Sequence, residues 1–360
     1  MTISLCMIVR DEEPVLARCL ESVQDLVEEI VVVDTGSRDN TRQIAARYAH
    51  KVLEFPWVDD FAAARNFAFD QGEGDYLFWL DGDDLLLEED RERFRVLRRR
   101  MEEEAPTVVM LPYHTAFDRD GNPTFSYYRE RLIRRDSGLR WKGRIHEAIS
   151  PAGTILYGDA AVTHRKEGPG DLDRNLRLFE KMKEEGEPFG PREQFYYGRE
   201  LYYHGRYEEA ARELEAFFRR PDGWIENRIG ACRTLSDCLL ALGRREEAVG
   251  ALLCSFSLDL PRAEICCDLG KVFLEEGRPR QAAYWYETAL SRPREERRGG
   301  FVQRDCYGYL PAIQLCVCWD RLGDRQRSVY WNDRAEEYKP GDPICRSNRE
   351  YFRSHPVQGQ

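Results

Sequence analysis

Apolar positions follow two different rules along this chain. In roughly the first half they come as short runs, each closed by a polar, carboxylate-rich loop. Beyond residue 190 they recur at helical spacing, interrupted by glycines at near-regular intervals. Residues 3–9 (ISLCMIV) lead into Arg10, Asp11, Glu12, Glu13 and Pro14. Residues 30–33 lead into Asp34 and a loop through Ser37 and Asp39. Residues 76–80 (YLFWL) lead into Asp81, Gly82, Asp83 and Asp84. Each reads as a buried strand that opens into a loop and then a helix. Pro14 suits the first turn of a helix through Leu16 and Leu20, and Asp39 or Ser37 can cap one through Ile44 and Tyr48.

Three strand ends thus set carboxylates on one edge: Asp11 and Glu12, then Asp34, then Asp81 and Asp83. Asp81, Asp83 and Asp84 would repel one another unless a cation sat among them, and hard cations such as Mg²⁺ or Mn²⁺ take carboxylate oxygens. Beyond the carboxyl ends of the strands is also where open α/β sheets bind ligands. The alternative is a polar turn whose aspartates cap a helix starting near Leu86. Further on, residues 107–111 and 126–134 read as strands joined by a turn at 118–123. The segment Trp141 to Glu147 (WKGRIHE) then sets His146 beside Glu147.

The second half carries four copies of one pattern, with Gly205, Gly243, Gly277 and Gly323 spaced 38, 34 and 46 residues apart. Seven residues before each stands a small residue (Gly198, Ser236, Gly270, Cys316), and five after each stands Ala or Ser. This is the signature of tetratricopeptide repeats, whose period is about 34 residues. The glycine ends a first helix in a left-handed turn, and the small residues let paired helices cross closely. The uneven spacing means longer loops, chiefly near residues 293–300. The fourth copy, with Asn332 and Ser328 at apolar positions, reads as a terminal cap. The expected bounds are a catalytic domain over 1–165, a linker with one charged helix over 166–190, repeats over 191–345 and a tail over 346–360.

Composition narrows the partners. The chain has 360 residues, enough for two domains. A net charge of −11 argues against nucleic acid. No apolar run reaches the ~18 residues needed to cross a bilayer. The N-terminus lacks a basic region ahead of its apolar run, so no signal peptide is expected. The 11 cysteines lie mostly in apolar runs and read as reduced thiols of a cytoplasmic protein.

The segments CMIVRDEE, VVVDTGSRDNT, FAAARN and WLDGDD together resemble the ordered motifs of family 2 glycosyltransferases with a GT-A fold. That resemblance covers about residues 1–165. It implies an α/β GT-A (Rossmann-like) catalytic domain ahead of the all-α repeats. It also implies a nucleotide-sugar donor, usually a uridine diphosphate (UDP) sugar, and inversion at the anomeric carbon. Carried over, Val9, Asp11 or Glu12 and Asp34 line the nucleoside pocket, and Arg65 lies near the donor. Asp81 and Asp83 form the DxD motif, with Asp83 the direct ligand of Mg²⁺ or Mn²⁺. His164 resembles the late histidine that completes the metal site. An inverting transfer needs a base, and Glu147 or His146 can serve; the alternative leaves both histidines as hydrogen-bonded structural residues.

A catalytic domain followed by such repeats is similar to bacterial peptide S-glycosyltransferases of the sublancin type, which implies a peptide or protein acceptor with a Cys thiol. Alternatives are a polysaccharide or lipid-linked acceptor and a non-catalytic repeat adaptor. The repeats then bind the acceptor, brace the catalytic domain or form a homodimer.

Overall fold

The computed structural model describes residues 1–168 and 170–355. The chain divides into two compact units, Met1–Phe189 and Gly190–Gln360.

The first unit opens with parallel strands and intervening helices. Strands β1 (Ile3–Val9), β2 (Glu29–Asp34), β3 (Lys51–Glu54) and β4 (Tyr76–Phe78) are linked through α1 (Leu16–Glu21), α2 (Thr41–Ala45) and α3 (Phe61–Gln71). There follow β5 (Asp84–Leu85), α4 (Glu88–Glu104), β6 (Val108–Phe117), β7 (Pro123–Arg134), β8 (Ile155–Tyr157), β9 (Val162–His164) and α5 (Arg174–Glu184). The sheet order is β3-β2-β1-β4-β7-β6-β9-β5, with β8 beside β6. β7 lies antiparallel to both β4 and β6. The strands read as unbroken apolar runs because both faces are covered. Leu5, Met7 and Val9 pack with Leu16, Leu20 and Phe94 on one side. Cys6, Val31 and Val33 pack with Phe69, Trp79 and Trp141 on the other.

Several expected boundaries shift for local reasons. The strand expected over 76–80 leaves the ladder after Phe78, although Trp79 and Leu80 stay buried. Trp79 anchors there instead, its indole N–H donating to the Glu130 carbonyl at 2.5 Å. α4 starts at Glu88 with no side-chain cap, so the Asp81–Asp84 turn does not serve as its cap. Pro14 precedes α1, which begins at Leu16. α2 ends at Ala45, short of Tyr48. Asp39 accepts the Thr41 amide at 3.0 Å, whereas Ser37 turns away and accepts the Asp11 amide. The β6–β7 hairpin closes as expected, with Asp118 accepting the amides of Asp120 and Asn122.

The second unit is built of helix pairs: α6 (Pro191–Tyr203) with α7 (Tyr207–Phe218), α8 (Ile225–Ala241) with α9 (Arg245–Cys254), α10 (Ala263–Glu275) with α11 (Pro279–Leu290), and α12 (Tyr309–Arg321) with α13 (Arg325–Tyr338). Between the members of each pair sits one of the four glycines, with φ of 70°, 76°, 71° and 78°, the left-handed region that only glycine enters freely. A Cβ on Gly270 would stand 2.7 Å from the Tyr286 ring, and one on Gly198 would stand 2.8 Å from Leu214. Those distances show why the helices need small residues where they cross. Ala210, Ala248 and Ala282 fill the matching positions and are fully buried.

The polar residues of the fourth copy have a structural reason. A further helix, α14 (Pro343–Ser354), covers α13. Asn332 donates to the Cys345 carbonyl at 3.1 Å and accepts from Asn348 at 2.9 Å, while the Ser328 hydroxyl donates to the Cys316 carbonyl at 2.9 Å. The tail expected from residue 346 is therefore helical through Ser354, and its last residues, 356–360, lie outside the described residues. The cysteines are free and, apart from Cys254, buried. Among the described residues no helix is long and apolar enough to cross a membrane.

Candidate active site

The loops after β1 and β2 are tied to each other. Arg38 donates its amide to Asp11 Oδ1 at 2.7 Å, Glu12 donates its amide to Thr41 Oγ1 at 2.8 Å, and Asn40 donates to Glu13. Asp11 holds a left-handed backbone, φ 54°, in this knot. Asp34 is buried at the end of β2, and its carboxylate accepts the amides of Gly36 and Ser37 at 3.1 Å. Val9 is buried beside it, and its carbonyl accepts both the amide and the hydroxyl of Thr35. Of the residues expected to line the nucleoside pocket, Asp34 and Val9 thus shape the loop wall, while Asp11 and Glu12 present side chains along it.

Glu12 reaches the Asp81–Asp84 turn. A Cβ on Gly82 would lie 2.8 Å from Glu12 Cγ, so glycine between the two aspartates is what admits the glutamate. Burial, with Asp83 and Asp81 adding repulsion, pushes the Glu12 carboxyl up to about 7.

The aspartates of the turn do different work. Asp84 is fully buried and saturated: it accepts from Tyr113 Oη at 2.9 Å, from Arg131 at 3.0 Å and from the Asp81 amide at 3.1 Å. Arg131 is fully buried as well, its guanidinium 3.9 Å from the Trp79 ring centroid. Asp83 faces His164, 3.3 Å from Nδ1, and Tyr113 Oη lies 3.1 Å from the same nitrogen. Burial opposes the charge on His164, but Asp83 and Asp84 outweigh it and raise the imidazole to about 10. Asp83, Asp84 and His164 together offer ligand atoms within 4.8 Å of one another. Two carboxylates and an imidazole suit a hard or borderline divalent ion such as Mn²⁺ or Mg²⁺. Asp84, whose oxygens already bind Arg131 and Tyr113, orients the group more than it is free to ligate.

Asp81 points to the other side. Its Oδ1 accepts from Arg65 at 2.6 Å, and the same guanidinium donates through Nε to Glu147 Oε1 at 2.6 Å. Burial alone would raise the Asp81 carboxyl, but Arg65 and Arg131 hold it near 2. Arg65 itself lies between the rings of Trp79 and Trp141, at 4.8 and 4.9 Å. The geometry therefore groups Asp83 and Asp84 with His164, and Asp81 with Arg65 and Glu147. Of the metal set read from the sequence (Asp81, Asp83 and His164), Asp83 and His164 come together with Asp84 within 4.8 Å, while the Asp81 carboxylate accepts from Arg65.

The His146 and Glu147 segment is held as a tight loop. Lys142 and Ala148 exchange both backbone hydrogen bonds, at 3.0 and 3.1 Å. Asn66, next to Arg65, grips the loop base through the amide and carbonyl of Trp141, both at 3.0 Å. The Arg65–Asn66 pair on α3 thus positions the whole segment. His146 takes a left-handed backbone, φ 49°, which costs a non-glycine residue on the order of 1–3 kcal/mol. Its ring stacks on Phe179 at 6.0 Å. Sequence reasoning missed Asn66, Tyr113 and Arg131. The first sits in the quoted FAAARN segment; the other two lie on strands β6 and β7 with no local signal.

Residues 4–157 match the Glycosyl transferase family 2 model. Over 148 residues the chain is 40% identical to a TPR repeat-containing protein of Synechococcus elongatus, covering 41% of this chain and 35% of that one. Over 231 residues it is 27% identical to the SPbeta prophage-derived glycosyltransferase SunS of Bacillus subtilis, covering 58% and 51%. Over 162 residues it is 28% identical to the lipopolysaccharide core biosynthesis glycosyltransferase LpsC of Rhizobium meliloti, covering 43% and 59%. The matches span between 35% and 59% of the length of these curated relatives. The chain thus carries, over residues 4–157, a region that matches the Glycosyl transferase family 2 model, followed by a unit of paired helices.

Proposed function

We propose that this protein transfers a sugar from a nucleotide-diphosphate sugar, a UDP-sugar in the first instance, to a peptide or protein acceptor with inversion at the anomeric carbon. The observation that carries this reading is the pair of neighbouring groups at one turn: Asp83 with His164 and Asp84 on one side, Asp81 bridged by Arg65 to Glu147 on the other. Asp83 and His164 would hold Mn²⁺ or Mg²⁺, which neutralises the diphosphate as it leaves. Asp11, Glu12 and Asp34 belong to the nucleoside wall, with Val9 behind them.

In a single displacement the acceptor heteroatom attacks the anomeric carbon, the bond to the diphosphate oxygen breaks, and its electron pair stays with the diphosphate. The acceptor proton passes to Glu147 or to His146. Glu147 suits this role because Arg65 fixes Oε1, while Oε2 has no bond among the described residues. A thiol acceptor, with a pKa near 8.5, would depend on the base less than a hydroxyl. The 27% identity to SunS supports a peptide acceptor only through the sublancin-type resemblance of the domain order. The likeness to LpsC supports a second reading, a glycan acceptor.

Intact-mass analysis decides between them. The full chain, Mn²⁺ and a panel of UDP-sugars are incubated with a peptide library and, separately, with lipid and glycan extracts. A hexose-sized adduct on peptide is expected. Adducts on extracts alone would replace the peptide reading with the glycan one.

A further inference from the structure

Helix α5 (Arg174–Glu184) lies beyond residue 157, where the family match ends, in a stretch whose sequence reads as a linker. It nevertheless belongs to the first compact unit, and Leu176, Leu178, Phe179 and Met182 bury its apolar face. Three ties run from α5 and the turn after it to the loop that carries Glu147 or to the support of that loop. Phe179 is fully buried and stacks on His146, with ring centroids 6.0 Å apart and planes at 22°. Arg144 Nη1 donates to Glu185 at 2.6 Å and to Glu187 at 2.9 Å. Gly186, at φ 73°, turns the chain between those two glutamates, and the Glu187 amide returns to the Met182 carbonyl at 3.0 Å. Lys181 pairs with Asp59, whose carbonyl accepts Arg144 Nε at 3.2 Å. The Arg144 carbonyl in turn accepts the amide of Phe61, the first residue of α3, at 2.9 Å.

The loop over residues 141–148 is therefore gripped twice. Arg65 and Asn66 of α3 hold it from within the family-matched region, and α5 holds it from outside that region. A helix that only covered a core would need its apolar face alone. Here one guanidinium, with 19% of its side chain exposed, takes two carboxylates, and charge-assisted bonds of this kind fix geometry as well as energy. The left-handed backbone of His146 persists only where its surroundings impose it. Phe179 restrains that residue directly, and Arg144 restrains the chain two positions earlier. A reacting group displaced by about 1 Å can lose about a hundredfold in rate.

We propose that α5 is a positioning element of the transfer site: Phe179 through His146, and Glu185 with Glu187 through Arg144, hold the loop that aims Glu147. The inference rests on the reading of Glu147 as the acceptor-side base and adds the residues that fix its place. These residues act through the loop and take no proton themselves.

The test compares the full chain with Phe179→Leu and with the double variant Glu185→Gln, Glu187→Gln. Hydrogen–deuterium exchange needs neither donor nor acceptor. The amides of Lys142 and Ala148 are bonded across the loop, and exchange over residues 141–148 should rise about tenfold in both variants while β1 and β2 exchange as in the parent. UDP release from a panel of UDP-sugars in Mn²⁺ is measured in parallel. Its kcat should fall about tenfold, with the donor KM and UDP affinity unchanged. Arg144→Gln should have the same effect and add nothing to the double variant, because the three residues act as one unit, whereas Arg144→Lys should keep most of the rate. Arg177→Gln, which breaks an exposed pair with Asp171 on the same helix, should change neither readout. If Phe179→Leu fails to fold, the glutamine pair, at partly exposed positions, carries the test. Parental exchange over 141–148, or raised exchange with parental kcat, would overturn the proposal. A parent that releases UDP from no donor removes the transferase reading, and the exchange measurement then decides by itself whether α5 holds the loop.

Discussion

In the first unit Arg131 and Asp84 meet at 3.0 Å with neither side chain exposed to water; in the helical unit Arg244 and Glu247 meet at 2.6 Å with about half of each in solvent. Both are ion pairs, but they cost and contribute very differently. A buried pair is expensive to desolvate and persists only when nearly every lone pair has a donor, as Tyr113, Arg131 and the Asp81 amide provide for Asp84. An exposed pair one turn apart on a helix contributes at most a few tenths of a kcal/mol. The first unit thus concentrates buried charge under one loop edge, where it fixes a turn that holds further carboxylates. The helical unit keeps its carboxylates mostly at the surface and takes its stability from small-residue crossings.

Substitutions can break the contrast at its strongest point first. Asp83→Ala should reduce transfer by about a thousandfold, measured as UDP release, because charge developing on the diphosphate loses its counterweight. Asp84→Ala should act through stability instead. It leaves Arg131 buried and unpaired, so chemical denaturation should show a loss of about 3–5 kcal/mol. If Asp84→Ala proved as stable as the parent, the buried pair would not be what fixes the turn. Glu147→Gln and His146→Ala should each lower turnover by about a hundredfold while UDP binding persists. Full activity in both variants would move the base elsewhere, and not to Asp84, whose oxygens are buried and already accept from Tyr113, Arg131 and the Asp81 amide.

Smaller effects sharpen the contrast from the helical side. Gly270→Ala places a Cβ 2.7 Å from the Tyr286 ring and should cost about 1–3 kcal/mol in thermal or urea unfolding, with donor binding intact. Glu247→Ala should change stability by less than about 0.5 kcal/mol. A larger loss there would mean that surface charge matters more to the repeats than their packing.

The helical half was largely legible because its signal is local and periodic. The glycines, the small residues seven positions earlier and the alanines five positions later recur within one helix pair, and each turned out to be a left-handed turn or a close crossing. What escaped was the final helix, since Asn332 and Ser328 read as the polar positions of a terminal cap until Cys345, Asn348 and Cys316 supply their partners. In the first half the strand-then-carboxylate pattern located the loop edge that carries Asp11, Asp34 and Asp81, because apolar runs buried on both faces stand out. The partition of the carboxylates did not show. Arg65 reaches Glu147 across 82 positions and Arg131 reaches Asp84 across 47, and no periodicity links residues so far apart. Which aspartate of the turn faces the imidazole therefore depends on tertiary pairing of β5 with β9.

The central claim is that the turn after β4 holds a metal-dependent donor site, and calorimetric titration of UDP into the full chain tests it most directly. UDP should bind in Mn²⁺ or Mg²⁺, lose that affinity in chelator, fail to bind Asp83→Ala under either condition and bind Glu147→Gln as the parent does. Binding of UDP by Asp83→Ala in chelator, undiminished from the parent with metal, would contradict it.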